Sequence, residues 1–130
     1  MLLDQHQGMF RGALLLGDLA SKESLYPQES DDAQVVAGTT VLAVRVQHED
    51  DGSTEIYVWD RAEEAPPGVR AFSGVIRIDS GQLWVGDILR HHGIVVECTP
   101  GPTDVTVVLA DPPWSPRVDL IIGSADPGAT

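Results

Sequence analysis

Apolar and polar residues alternate with a period of two along most of the chain, as in strands that bury one face. The alternation is regular on both sides of Ser80-Gly81, where glycine can supply the positive φ that a tight turn requires. A two-residue loop there predicts a hairpin with one apolar face. This face consists of Phe72, Ile76, Ile78, Leu83 and Val85. The other face carries Arg77 opposite Trp84, and we expect a cation–π contact between these two side chains.

A second hairpin is predicted from strands 39–47 and 54–60, which are rich in β-branched residues. A three-residue loop with Gly52 in the left-handed region sets Val46 against Ile56 and keeps one face of the hairpin aliphatic. A two-residue loop would shift this register and mix the two faces, so the longer loop is favoured.

Further strands are predicted from short apolar runs that end at glycine or proline. They cover 9–17, 93–98, 103–109 and 118–122. Residues 1–7 and 123–130 are expected to be loose ends. No long amphipathic helical pattern is present, so we predict a single all-β domain over residues 1–130. Its architecture is an antiparallel β-sandwich or a partly closed barrel of about eight strands.

The chain is strongly acidic, with 20 Asp and Glu residues against 8 Lys and Arg residues and a net charge of −12. Nucleic acids and anionic membrane surfaces bind through lysine and arginine, so both are excluded as expected partners. The acidity fits a basic protein partner, but a role in solubility or a generally acidic background is favoured over it.

The cysteine count and the hydropathy of the chain indicate where in the cell the protein is expected. Cys98 is the only cysteine, so no internal disulfide can form, and we expect a cytoplasmic location. Its apolar neighbours predict a buried core thiol and not a nucleophile. No apolar stretch approaches the length of a membrane span, and the N-terminus has no signal-peptide pattern.

Metal-binding chemistry is suggested at one place, by His91, His92 and Glu97, because imidazole and carboxylate suit zinc or iron. Adjacent histidines in a strand point to opposite faces, so a solvated loop with two exposed histidines is favoured. No nucleophile elbow, phosphate-binding loop or complete calcium loop occurs. We therefore predict a protein that is not an enzyme and has no cofactor.

Two tryptophans are predicted to anchor a protein partner, because Trp59 and Trp84 fall outside the cleanest aliphatic faces. Acidic residues in the predicted loops would steer a basic partner towards them. These residues are Asp50, Asp51, Glu63 and Glu64. Trp114, in a proline-rich loop, is expected to pack over the end of a sheet.

The segment 79–87, followed by Pro100-Gly101 and an alternating strand, resembles small bacterial β-proteins of the competence protein J family. That family is described as inhibitors of a DNA-entry nuclease. The similarity extends over residues 35–122 as a pattern of strands and turns, and no catalytic motif is shared. The resemblance implies a β-sandwich that covers a basic nuclease surface, which agrees with the charge of −12.

Three functional hypotheses follow. The first is a non-enzymatic β-sandwich that binds a protein partner, as an inhibitor or immunity-type module for a basic nuclease or toxin. The second is a jelly roll that binds a small molecule or a metal through His91, His92 and Glu97, with or without enzymatic activity. The third is a structural protein that forms a homodimer through an exposed edge strand.

Overall fold

The structure is a computed structural model. It describes residues 2–8, 10–22, 35–48, 52–60, 67–87, 90–111 and 115–124. Every regular element within these ranges is a strand. The ten strands are β1 (Leu2–Gly8), β2 (Arg11–Asp18), β3 (Val35–Ala37), β4 (Val41–His48), β5 (Thr54–Trp59), β6 (Val69–Ile78), β7 (Gln82–Asp87), β8 (Gly93–Glu97), β9 (Gly101–Leu109) and β10 (Arg117–Ser124). The described part of the chain contains no helix that is long and apolar enough to cross a membrane.

The strands form two five-stranded sheets that pack face to face. Sheet I has the order β1-β5-β10-β9-β6, and sheet II has the order β3-β4-β2-β7-β8. Neighbouring strands are antiparallel except β5 and β10, which are parallel. The core lies between the sheets and consists mainly of valine, leucine and isoleucine. The predicted β-sandwich is therefore confirmed, and the sheets do not close into a barrel.

The predicted hairpin around Ser80-Gly81 is wrong, because β6 belongs to sheet I and β7 to sheet II. Ile78 therefore does not pair with Leu83, although both side chains point into the core and are fully buried. The reason is geometric. Two strands that face each other across a sandwich show the same alternation as two paired strands with one buried face. Alternation determines which face of a strand is buried, and the partner strand is determined by the topology.

The second predicted hairpin fails for the same reason. Strand β4 pairs with β2 and β3 in sheet II, whereas β5 pairs with β1 and β10 in sheet I. Val46 and Ile56 still point into the core from opposite sheets. Gly52 does have a positive φ, of 125°, as the prediction requires.

The turn between β6 and β7 is held by a carboxylate from a third strand. Asp18, at the end of β2, accepts hydrogen bonds from the hydroxyl and backbone N–H of Ser80 and from the backbone N–H of Ala20. Burial alone raises the pKa of Asp18, but these hydrogen bonds outweigh it, so the pKa lies below the ordinary value of 3.8. Gly81 completes the turn with a φ of 74°.

The two chain ends differ from the prediction of loose segments. Leu2–Gly8 forms β1, an edge strand antiparallel to β5. Its polar residues interrupt the apolar alternation, because an edge strand keeps one side in water. At the other end, Gly123 and Ser124 complete β10, and residues 125–130 lie outside the described ranges.

Candidate functional site

The outer face of sheet I gathers aromatic and charged side chains from β5 and β10. Parallel pairing sets Tyr57 beside Asp119 and Trp59 beside Ile121. Arg117 lies one row away on the same face, because side chains two residues apart along a strand point the same way. Val118 and Leu120, which alternate with these residues, are fully buried in the core.

Asp119 is the centre of this group. Its side chain accepts a hydrogen bond of 2.9 Å from Trp59 Nε1 and bonds of 3.0 and 3.1 Å from Arg117 Nε and Nη2. Asp119 is only 3% exposed although it lies on the outer face of the sandwich. A buried carboxylate is stable only when it is paired, and here a bidentate guanidinium and an indole N–H supply that pairing.

Arg117 connects the carboxylate to the second aromatic ring. Its guanidinium carbon lies 4.0 Å from the centroid of the Tyr57 ring, in the geometry of a cation–π contact. The hydrogen bonds to Asp119 raise the pKa of Arg117, against the opposing effect of partial burial. The guanidinium therefore keeps its charge while about a third of the side chain, 30%, stays accessible.

We call Trp59, Asp119, Arg117 and Tyr57 the outer-face cluster. Tryptophan, tyrosine and arginine are the residue types that dominate binding energy at protein interfaces. The cluster holds these three in fixed positions, and its buried charges are already paired within the chain. A partner that covered the cluster would therefore contact a rigid surface. The free-energy cost of ordering the cluster's side chains and of removing its charges from water on binding would be small.

A row of side chains extends from this cluster to the edge of the sheet. The strand register places Trp59, Ile121, Thr106 and Ser73 side by side across β5, β10, β9 and β6. Val75 follows on the same face of β6 and is 53% exposed, the highest value among the large hydrophobic residues that are described. The accessible surface of sheet I is thus continuous from the cluster to the edge strand.

The outer face of sheet II has a different character. Ala13, Leu15, Ala43 and Arg45 point away from the core, yet each is at most 8% exposed. A partner protein therefore has less access to this part of sheet II than to sheet I.

Trp84, the second predicted anchor, lies on sheet II. Its indole occupies the space above Gly86 and Gly93, where an added Cβ would come within 2.7 Å of the ring. The indole Nε1 is buried and has no hydrogen-bond partner among the described residues. The expected contact with Arg77 does not form, because the two residues are in different sheets and Arg77 pairs with Asp79 at 2.9 Å.

The three candidate metal ligands are not brought together. The backbone N–H groups of His91 and His92 donate to Oδ1 of Asp87 in the turn before β8, whereas Glu97 is the last residue of that strand. No group of three His, Cys, Asp or Glu residues in the described ranges has the geometry of a metal site. The described geometry does not support the second hypothesis at these residues.

The predicted acidic loop residues Asp50, Asp51, Glu63 and Glu64, and Trp114, lie outside the described residues. Their part in binding stays a prediction.

Cys98 packs against the core but is only half-buried, so the predicted buried core thiol is found only in part. Burial, and then the negative charge of Asp18, raise the pKa of its thiol. It lines a cleft of about 150 Å³ with Leu3, Thr103 and Ile122. A thiol with a raised pKa is a weak nucleophile, so this cleft has no feature of a cysteine active site.

Comparison with known proteins adds information on the fold. No protein-family model and no curated protein matches the sequence. Two solved structures do match. The chain is similar in fold to ComJ. This Bacillus subtilis protein inhibits the DNA-degrading activity of NucA, and the similarity covers 94% of both chains with a TM-score of 0.71 and 8% sequence identity. The resemblance to the competence protein J family is therefore confirmed for the fold.

The second structure is the product of crocagin biosynthetic gene J. It matches over 95% of this chain and 96% of its own length, with a TM-score of 0.59 and 12% identity. Both matches span almost the whole β-sandwich, so the two-sheet arrangement is shared and not limited to one sheet.

Proposed function

We propose that this protein is a non-enzymatic binding protein that inhibits a basic protein partner by covering part of its surface. The observation that carries the proposal is the outer-face cluster. It presents Trp59, Tyr57 and Arg117 in fixed positions, and the buried carboxylate of Asp119 is already neutralised by Arg117. Such a surface is suited to burial under a second protein.

The charge of the chain supports the basic character of the partner. A net charge of −12 attracts a basic protein at long range and raises the rate of encounter. The outer-face cluster itself contributes one positive and one negative charge, which cancel. In this proposal the acidic balance of the whole chain guides the partner, and the cluster supplies the contact after arrival.

The test uses the purified chain as bait in cells that encode it, followed by reconstitution with the purified captured protein. Trp59→Ala removes the largest ring of the outer-face cluster, and Val95→Ser is the matched control on sheet II, where Val95 is 41% exposed. We expect Trp59→Ala to weaken binding by at least about tenfold and Val95→Ser to leave it unchanged. Equal binding by both variants and the wild type, for every captured protein, would contradict the proposal.

The narrower proposal is that the partner is a nuclease of the kind that ComJ inhibits. NucA serves as the probe, in a DNA-degradation assay with ComJ as the positive control. Loss of degradation on adding the chain, and its recovery with Trp59→Ala, supports this narrower proposal. If DNA is fully degraded at concentrations of the chain at which ComJ gives complete inhibition, the narrower proposal is overturned. The wider proposal is then judged by the reconstitution experiment alone.

A further inference from the structure

Strand β6 is one of the two edge strands of sheet I, and part of it presents backbone N–H and C=O groups that no described strand pairs with. Arg77 in β6 is opposite Pro102 in β9, and its N–H donates to the carbonyl of Thr39 instead, at 2.9 Å. The backbone groups of alternate residues in an antiparallel strand point to the same side. The N–H and C=O groups of Ser73 and Val75 therefore also point away from β9.

The open stretch is short and has defined ends. Thr39 occupies the position beside Arg77. At the other end the register with β9 shifts between Arg70 and Phe72, which breaks the regular edge. Between these limits Ser73 and Val75 are exposed, and no strand of the described ranges lies beyond them.

We propose that this edge binds a short extended segment of the partner protein, which adds to sheet I beside Ser73–Val75 as a further strand. The inference rests on the proposed function and specifies how the partner is held. Main-chain hydrogen bonds to Ser73 and Val75 would give affinity, as in other cases of strand addition. The row from Trp59 to Ser73 makes this edge continuous with the outer-face cluster, so one partner can contact both.

The occupant is a segment of a different protein and not a second copy of the chain. Pairing two β6 strands about Gly74 would set Ala71 of one copy opposite Arg77 of the other, where Thr39 already lies. Two copies also carry −12 each and repel one another. A segment that pairs only with Ser73–Val75 avoids both problems.

The side chains around the edge specify the chemistry of the segment. Residues directly opposite each other in paired strands share a face, so the segment residue beside Val75 would lie on the outer face and be apolar. Asp104, exposed and beside Val75 in β9, is within reach of a lysine or arginine on the segment. The structure thus favours a basic segment with alternating apolar residues.

The test uses a synthetic peptide, Lys-Thr-Val-Thr-Val-Thr-Lys, and amide hydrogen exchange measured by NMR. Its first control replaces both valines with proline, which removes the pairing, and its second replaces both lysines with glutamate. We expect the basic peptide to slow exchange of the Ser73 and Val75 amides by about tenfold, and the proline peptide to have no effect. The glutamate peptide should bind more weakly because Asp104 repels it.

Variants of the chain provide a matched pair. Val75→Pro removes one open N–H from the edge of sheet I, and Val95→Pro does the same in β8 at the edge of sheet II. The His92 carbonyl and the Cys98 N–H, which flank β8, bond towards β7, so the Val95 N–H points outwards. Proline is tolerated where a strand N–H faces solvent. Peptide binding should be lost with Val75→Pro and kept with Val95→Pro.

The outcomes separate the alternatives. Unchanged exchange at Ser73 and Val75, or equal protection at Val95, overturns the inference. A dimer seen by light scattering that Val75→Pro dissociates would assign the edge to a second copy and also overturn it. The proposed function is judged separately, by whether Trp59→Ala weakens binding of the whole partner protein.

Discussion

The indole N–H of Trp59 donates a hydrogen bond of 2.9 Å to the carboxylate of Asp119, 60 positions further along the chain. This bond connects the parallel strands β5 and β10 on the outer face of sheet I. It fixes the orientation of the largest ring in the outer-face cluster.

Phenylalanine substitutions at the two tryptophans should therefore have different effects on stability. Trp59→Phe removes a donor from a buried carboxylate, and we expect a loss of about 1 kcal/mol in the free energy of unfolding. Both substitutions also remove the outer atoms of the indole. Beyond that shared loss, Trp84→Phe removes only an N–H that has no partner among the described residues, so its further effect should stay within about 0.5 kcal/mol. Urea unfolding of both variants provides the measurement. A larger loss for Trp84→Phe than for Trp59→Phe would contradict this account.

Two Arg–Asp pairs with the same spacing in the sequence test the importance of burial. Asp119→Asn would turn an amide NH₂ group towards donors on Arg117 or Trp59, and we expect it to cost about 2 kcal/mol of stability. Asp79→Asn breaks the Arg77 pair, in which both side chains are more than half exposed, and it should cost less than about 0.5 kcal/mol. Chemical denaturation of the two variants at low and moderate salt distinguishes them. Equal losses would show that burial of Asp119 has no energetic role.

The glycines under Trp84 should not accept a side chain. Gly93→Ala would bring a Cβ within 2.7 Å of the indole, and closer still to the Val85 carbonyl, so we expect about 1–3 kcal/mol of destabilisation. Gly123→Ala is the control, because a Cβ added at this position would meet no described atom within 4 Å, and its effect should be below about 0.5 kcal/mol. Thermal unfolding monitored by tryptophan fluorescence measures both. An unchanged Gly93→Ala variant would contradict the packing of Trp84.

Acid sensitivity should depend on the turn that Asp18 holds. The pKa of Asp18 is lower in the folded state than in the unfolded chain, so its contribution to stability is complete above the unfolded value of 3.8 and is lost as the pH falls through the folded-state pKa. Ser80→Ala removes one donor and moves the folded pKa upwards. The variant should be less stable than the wild type at neutral pH, and this difference should shrink below about pH 4.

Unfolding by urea at a series of pH values gives the required stability curves. Ser73→Ala is the control, because its hydroxyl approaches Thr106 and no carboxylate. A Ser80→Ala curve that runs parallel to that of the wild type down to low pH would contradict the role of Asp18.

Local pattern was sufficient to predict the buried faces of the strands. Ile76 and Leu83 follow an alternation that any one-sided strand shows, and both are in the core. Their partner strands could not be predicted, because a turn with glycine at positive φ serves equally in a hairpin and in a connection between two sheets. The strand β1 was missed since Asp4 and Gln5 interrupt its apolar pattern.

The candidate site was predictable only in part. Trp59 stands out in the sequence as a large aromatic residue outside the aliphatic faces. Arg117 and Asp119 share one face by their spacing, but nothing local brings them to Trp59. Their contact depends on the parallel pairing of β5 and β10, which are far apart in the sequence, and no short-range pattern specifies that pairing.

The chain changes sheet between β1 and β2, β4 and β5, β6 and β7, and β8 and β9. Neither sheet is therefore formed by one continuous stretch of the chain, because strands of the other sheet lie between its strands in the sequence. Loops must close before most native pairs can form, which slows folding and leaves no half of the molecule that is stable by itself. A nick or truncation within one sheet is therefore expected to unfold both.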